Sequence, residues 1–148
     1  MDIETIPSHL DLSETTENYL KRIYILTIQS GEARISDIAN KMGRSRSSVT
    51  EAMQRMASEG LVNYEKYSTI TLTEKGKLLA KSIHKNFSIM ETLLQQLGIP
   101  SDIAQLDACS MEHSISKITI DTISKFIEFS NTKEGRELLD KFIEFKIL

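Results

Sequence analysis

Cysteine is almost absent from this chain: Cys109 is the only one among 148 residues. No disulfide can form within the chain, and a reducing cytoplasm is the expected setting. Long apolar runs are missing too; none approaches the roughly 18 residues that a membrane span needs. Residues 1–12 lack the basic, apolar and small-residue succession of a secretory signal, so no membrane association is expected. Positive charge is in deficit, 18 Lys and Arg against 21 Asp and Glu, which argues against a nonspecific nucleic-acid coat. No internal repeat, low-complexity tract or long linker interrupts the chain. Hydrophobic residues at 40% and charged residues at 26% make an ordinary globular composition, and the length suits one or two small domains.

What is present is a local reversal of that acidic balance. Lys41, Arg44, Arg46 and Arg55 face Glu51 alone, a basic patch that can meet phosphates at one place. The patch falls inside a succession of predicted elements. Ser13 to Glu17 supply caps and acids for a helix running to about Ser30, before Gly31, with Tyr19, Leu20, Ile23, Tyr24, Leu26 and Thr27 as its stripe. A short helix over 34–42 carries Ile35, Ile38, Ala39 and Met42 and closes at Gly43. A third, over 45–59, carries Val49, Ala52, Met53, Met56 and Ala57 and ends at Gly60. Two strand-like pieces, 61–65 and 69–73, follow, joined by Lys66, Tyr67 and Ser68. Thr73 caps a long helix stopped by Gly98 and Pro100, and three more helices are predicted over 101–115, 116–129 and 132–145.

Three short helices and a hairpin make the winged variant of the helix-turn-helix, in which the recognition helix enters the DNA major groove. On the third helix the outward residues include Arg46, Ser47, Ser48, Thr50 and Gln54. Hydroxyls at a helix start donate to phosphate; Arg46 suits guanine and Gln54 adenine. Arg34, Lys41 and Arg44 flank the element as phosphate clamps, and Lys66 offers a cation on the wing. The same serines also serve as ordinary N-caps. The order of parts, with its basic flanks, favours the DNA reading.

Cys109, Glu112 and His113 stand at i, i+3 and i+4, which on a helix puts all three on one face. Thiolate, carboxylate and imidazole together suit a borderline divalent ion. On residue types alone, a packed cysteine beside a solvated pair is the favoured reading.

With these residues in view, the chain resembles the metal-dependent repressors of the diphtheria-toxin-repressor and manganese-transport-repressor family. The resemblance rests on Glu14-Thr15-Thr16-Glu17-Asn18-Tyr19-Leu20, Ile35-Ser36-Asp37-Ile38-Ala39, Ser47-Ser48-Val49-Thr50 and Glu59-Gly60-Leu61-Val62. It continues through Leu72-Thr73-Glu74-Lys75-Gly76 and Ala108-Cys109-Ser110-Met111-Glu112-His113, covering 14 to about 129 in order. The resemblance implies a mainly α fold: a winged helix-turn-helix over 1–73 followed by an all-helical dimerisation and metal-binding domain over 74–148, with no third, SH3-like domain.

The same resemblance makes Cys109, Glu112 and His113 metal ligands, with Asn18 as the first-helix contributor and Glu91 as the acidic member of an ancillary site. A cysteine at 109 resembles the iron-type branch. Lys21 stands where the manganese type carries a second carboxylate, and Phe87 and Gln105 occupy the ancillary histidine positions, with His84 one turn before Phe87. The cofactor implied is a divalent transition metal, iron(II) ahead of manganese(II). The implied partner is a pseudo-palindromic operator in double-stranded DNA, bound by a homodimer whose metal restricts the two halves to the DNA-competent geometry. Repression of metal-uptake genes is the expected output; the alternative is a regulator of the same fold that needs no metal or senses another ligand. No enzymatic activity is expected, because Cys109 and His113 are joined by no third orienting residue, oxyanion donor or Gly-rich loop. The wing tip lacks the arginine-glycine pair common in the family, and residues 126–148 are assigned no role.

Overall fold

Five of the seven helices in the computed structural model, which describes residues 12–147, start from a hydroxyl side chain that caps them. The expected absence of a signal over 1–12 falls, Leu12 apart, outside the described residues, as do the extreme ends of the two expected domains. α1 (Glu14–Ser30) begins where the Ser13 hydroxyl accepts the Thr16 N–H at 3.2 Å and ends at Gly31, with φ +80°. α2 (Ile35–Met42) closes at Gly43, and α3 (Arg46–Ser58) starts from Ser45, whose hydroxyl accepts the Ser48 N–H at 3.1 Å. Beyond the wing come α4 (Glu74–Gln96), α5 (Ser101–Met111), α6 (Lys117–Ser130) and α7 (Lys133–Ile147).

The wing is smaller than its sequence pattern. β1 (Val62–Asn63) and β2 (Thr71–Leu72) pair antiparallel, Val62 with Leu72 and Asn63 with Thr71. At their base the Leu61 N–H turns back to the Met56 carbonyl at 2.9 Å, and Thr73 caps α4: its hydroxyl accepts the Gly76 N–H at 3.0 Å and donates to the Gly60 and Leu61 carbonyls. A third piece of backbone joins the wing at Ala33, whose carbonyl accepts the Ile70 N–H at 2.8 Å. That bridge has no period-two signature, which is why the sequence did not announce it.

At the wing tip the Ser68 N–H returns to the Glu65 carbonyl at 3.1 Å, closing a four-residue turn. Its third residue is Tyr67, with φ +66°, the one non-glycine with positive φ among the described residues. Turns with that geometry favour glycine or asparagine there, and a side chain in the left-handed region costs about 1–2 kcal/mol.

The described residues fall into two compact units, the first ending at Ile83 and the second beginning at His84, so that α4 belongs to both. The first unit has a full core: Leu20, Ile23, Ile38, Val49, Met53, Met56, Leu61, Ile70, Leu79 and Ile83 are all buried. The predicted stripes supply it, although Thr27 is exposed and Tyr24, Ile35 and Met42 are half-buried. The second unit buries much less, with Met90, Ala108 and Ile120 at its centre and Phe87, Leu94 and Ile123 packed around them. Polar ties help to hold it. Lys146 donates to the Leu97 and Gly98 carbonyls at 3.2 and 2.8 Å, at the end of α4 where a cation is favoured, and Ser130 donates to Gln96 Oε1 at 2.9 Å. No helix among the described residues is long and apolar enough to cross a membrane.

α5 ends at Met111, short of the predicted 115. The Ser114 N–H turns back to the Met111 carbonyl at 3.0 Å, and Ser116 already caps α6 through the Thr119 N–H. Ser114 and Ser116 offer the backbone local partners that compete with a further helical turn.

Two stability measurements test this account. A Cβ on Gly76 would overlap the Leu61 carbonyl oxygen. Alanine gains about 1 kcal/mol over glycine in a helix, but overpacking against rigid backbone costs more, about 1–3 kcal/mol. Gly76→Ala should therefore lower the urea midpoint of the intact protein; a raised midpoint would show that the wing base yields. Tyr67→Gly should leave thermal stability unchanged or raise it by up to about 1 kcal/mol, the relieved strain offsetting the extra freedom of glycine. A marked loss would mean that the ring is a packing element.

Candidate nucleic-acid interface and metal centre

The turn between α2 and α3 is made by Gly43, with φ +61°, and by the Arg44 N–H bonding the Ala39 carbonyl at 3.0 Å. This places the exposed start of α3 after a tight reversal, as a helix-turn-helix requires. Ser45 caps the helix and also donates to the Ser48 hydroxyl at 2.8 Å, with Ser47 Oγ 3.1 Å from Ser45 Oγ. Ser48 accepts that bond, so its own O–H points elsewhere as a donor. Thr50 donates to the Arg46 carbonyl at 2.8 Å, which holds its methyl-bearing side chain against the helix.

Arg34, Arg46, Thr50 and Lys66 come together on a groove of about 460 Å³ between the starts of α2 and α3 and the wing. Tyr64, Tyr67, Ser68 and Thr69 complete its wing side, with Ile35 and Ser36 from α2. Lys41, Arg44, Ser47, Ser48 and Gln54 are exposed but lie outside this groove. Arg34 is not a bare clamp: its Nε donates to Glu32 Oε1 at 2.8 Å, a neighbour that shares its charge. Sequence reasoning passed over the two tyrosines because neither motif spacing nor charge marks them; only the wing's hairpin brings them opposite Arg46.

The second set of residues lies where α5 ends. Cys109 is half-buried in the last turn, Glu112 takes the C-cap with φ −56° and ψ −28°, and His113 follows beyond the helix. Glu112 is wholly buried, the His113 side chain is 6% exposed, and Nε2 stands 3.3 Å from Glu112 Oε1. A buried carboxylate beside an imidazole is the hard and borderline half of a divalent-metal donor set, and the thiol of Cys109 adds a soft donor. The donor types therefore fit such an ion. The three are not gathered, however: among the described residues no group of three or more His, Cys, Asp or Glu is close enough together to hold one. Glu112 still has helical angles and bonds the Ala108 carbonyl at 3.0 Å, and His113 is the one of the three that lies beyond the helix.

The remaining predicted ligands are placed separately. Asn18 is half-buried on α1, in the first unit, between Glu17 and Lys21, both buried. Glu91 is half-buried on α4, where Gln95 Nε2 donates to its Oε1 at 3.5 Å. His84 stacks on Phe87 with ring centroids 6.3 Å apart and planes 17° from parallel.

Comparison with known proteins gives this arrangement its context. Residues 11–70 match the family model of the iron dependent repressor N-terminal DNA binding domain, and 73–138 match that of the iron dependent repressor metal binding and dimerisation domain. The HTH-type transcriptional regulator MntR of Lysinibacillus sphaericus is 34% identical over 112 residues, covering 76% of this chain and 81% of the relative. That of Bacillus velezensis is 32% identical over 130 residues, covering 88% and 92%. Among solved structures, the manganese regulator SloR superposes with a TM-score of 0.66 at 30% identity, over 77% of this chain and 54% of its own. A manganese-dependent transcriptional repressor in complex with manganese gives 0.70 at 26% identity, over 77% and 53%. This chain thus spans about half the length of those two solved chains. It belongs to the iron-dependent repressor family: metal-dependent transcription regulators that join an N-terminal DNA-binding domain to a metal-binding and dimerisation domain.

Proposed function

We propose that this protein is a cytoplasmic, homodimeric repressor that binds a pseudo-palindromic operator in response to a divalent transition metal, with metal-uptake genes as its targets. The observation that carries the reading is the groove lined by Arg34, Arg46 and Lys66 within a chain of net charge −3. Residues 1–73 are assigned to DNA binding and 74–148 to dimerisation and metal binding. Arg46 and Gln54 read bases; Arg34, Lys41, Arg44, Ser47, Ser48, Thr50 and Lys66 hold phosphates and sugars.

Pairing of two copies finds support in the second unit's surface. Nine of the twelve exposed large hydrophobic side chains among the described residues lie in it, Leu106, Ile118, Phe145 and Ile147 the most open of them. A unit with a small core and that much uncovered apolar surface needs a partner, and a second copy supplies one in a two-fold assembly.

Glu112 and His113 would hold the metal with Cys109; Asn18 on α1 and Glu91 on α4 are the further candidate ligands. A bound divalent ion supplies positive charge that several donors share, and so a link between chain segments. The chain's own contribution is to keep the Glu112 carboxylate away from water with the His113 imidazole beside it. Cys109 favours iron(II) by its softness. The relatives do not support that preference, since two of the solved structures are named for manganese.

Calorimetric titration of metal-stripped protein, anaerobically with iron(II) and in parallel with manganese(II), separates the two. One tight site per chain, abolished in His113→Ala, is expected; the ion bound more tightly is the physiological candidate. Binding of neither ion would overturn the sensor and leave a regulator of the same fold with another ligand or none. DNA contact is tested by salt dependence. Arg34→Ala should weaken duplex binding and lower the slope of log K against log salt by about 0.9, the share of one phosphate neutralised. An unchanged slope with an unchanged affinity would remove the groove from the interface.

A further inference from the structure

The wing tip holds a side chain in the wrong place for a turn and the right place for a ligand. Tyr67 takes the left-handed conformation at the third position of the Glu65–Ser68 turn, where glycine or asparagine fits without strain. The residue is 95% exposed, so burial does not account for a tyrosine there. Lys66 Nζ stands 5.1 Å from the centre of that ring, and both residues border the groove shared with Arg46 and Thr50 of α3. Strained, exposed and beside the recognition helix, the residue has the marks of a side chain kept for contact with another molecule.

Resting on the DNA-binding reading above, we propose that Tyr67 is a DNA-contacting residue of the wing. Its phenol donates to a phosphate oxygen and its ring lies on the adjoining deoxyribose, while Lys66 neutralises a neighbouring phosphate. Tyrosine O–H is among the donors that position a protein on the duplex backbone. Such a contact takes the role that a cationic wing tip would play, with one difference that can be measured. A neutral phenol releases no counterion, so Tyr67 contributes affinity that salt does not screen, whereas Lys66 contributes affinity that salt does.

The test uses the full chain loaded with manganese(II) and a duplex that the parent protein selects from a random-sequence pool. Tyr67→Gly should keep or raise the melting temperature and weaken binding by about tenfold, with the salt slope unchanged. Tyr67→Phe should lose part of that affinity, again at constant slope, and Lys66→Gln should lower the slope by about 0.9. Tyr67→Asn, which also tolerates the left-handed conformation, should behave as Tyr67→Gly and guards against a melted wing. Parental affinity in both Tyr67→Gly and Tyr67→Asn, with Arg46→Ala still impaired, would overturn the proposal and leave the groove as the interface. Parental affinity in Arg46→Ala as well would overturn the interface itself.

Discussion

The carbonyl group of Leu61 is where this DNA-binding unit is held together. It accepts the Thr73 N–H at 3.1 Å and the Thr73 hydroxyl at 3.1 Å, and Gly76 packs directly on it. One backbone oxygen thereby joins three things: the entry to the wing, the exit from the wing and the first turn of α4. Each is short and would be marginal alone, since two strands of two residues do not sustain a hairpin in water. With the junction closed, Leu61, Val62 and Ile70 enter the same core as Val49, Met53 and Met56 of α3. The recognition helix and the wing then move as one body, which is what lets Arg46 and Lys66 define a single groove.

Much of this was legible in the residues, and the reasons are local. Ser13, Ser45, Thr73, Ser116 and Thr132 each precede a helix and each cap it, because a hydroxyl that accepts an orphan N–H acts within three residues. The 3.6-residue stripes of α1 and α3 likewise named the buried side chains. What escaped depends on partners far along the chain. The Ala33–Ile70 bridge joins positions that share no pattern, and the positive φ of Tyr67 follows from closing a turn rather than from any preference of tyrosine.

The metal-ligand expectation shows the limit most clearly. Spacing of i, i+3 and i+4 shares a face while the backbone stays helical, which holds for Glu112 at the C-cap of α5 and ends at His113. The Glu112 carboxylate and the His113 imidazole stand 3.3 Å apart there. Family resemblance points to the residues; backbone geometry decides which of them are already neighbours.

The contrast between the two cores carries a consequence of a different kind. If a second copy covers the exposed apolar side chains of the second unit, as proposed above, its stability rises with the logarithm of protomer concentration. Folding, pairing and occupancy of a two-fold site are then steps of one equilibrium. Copy number becomes an input to such a switch in its own right, and a cell that makes more of the protein obtains a sturdier molecule as well as a larger pool of it.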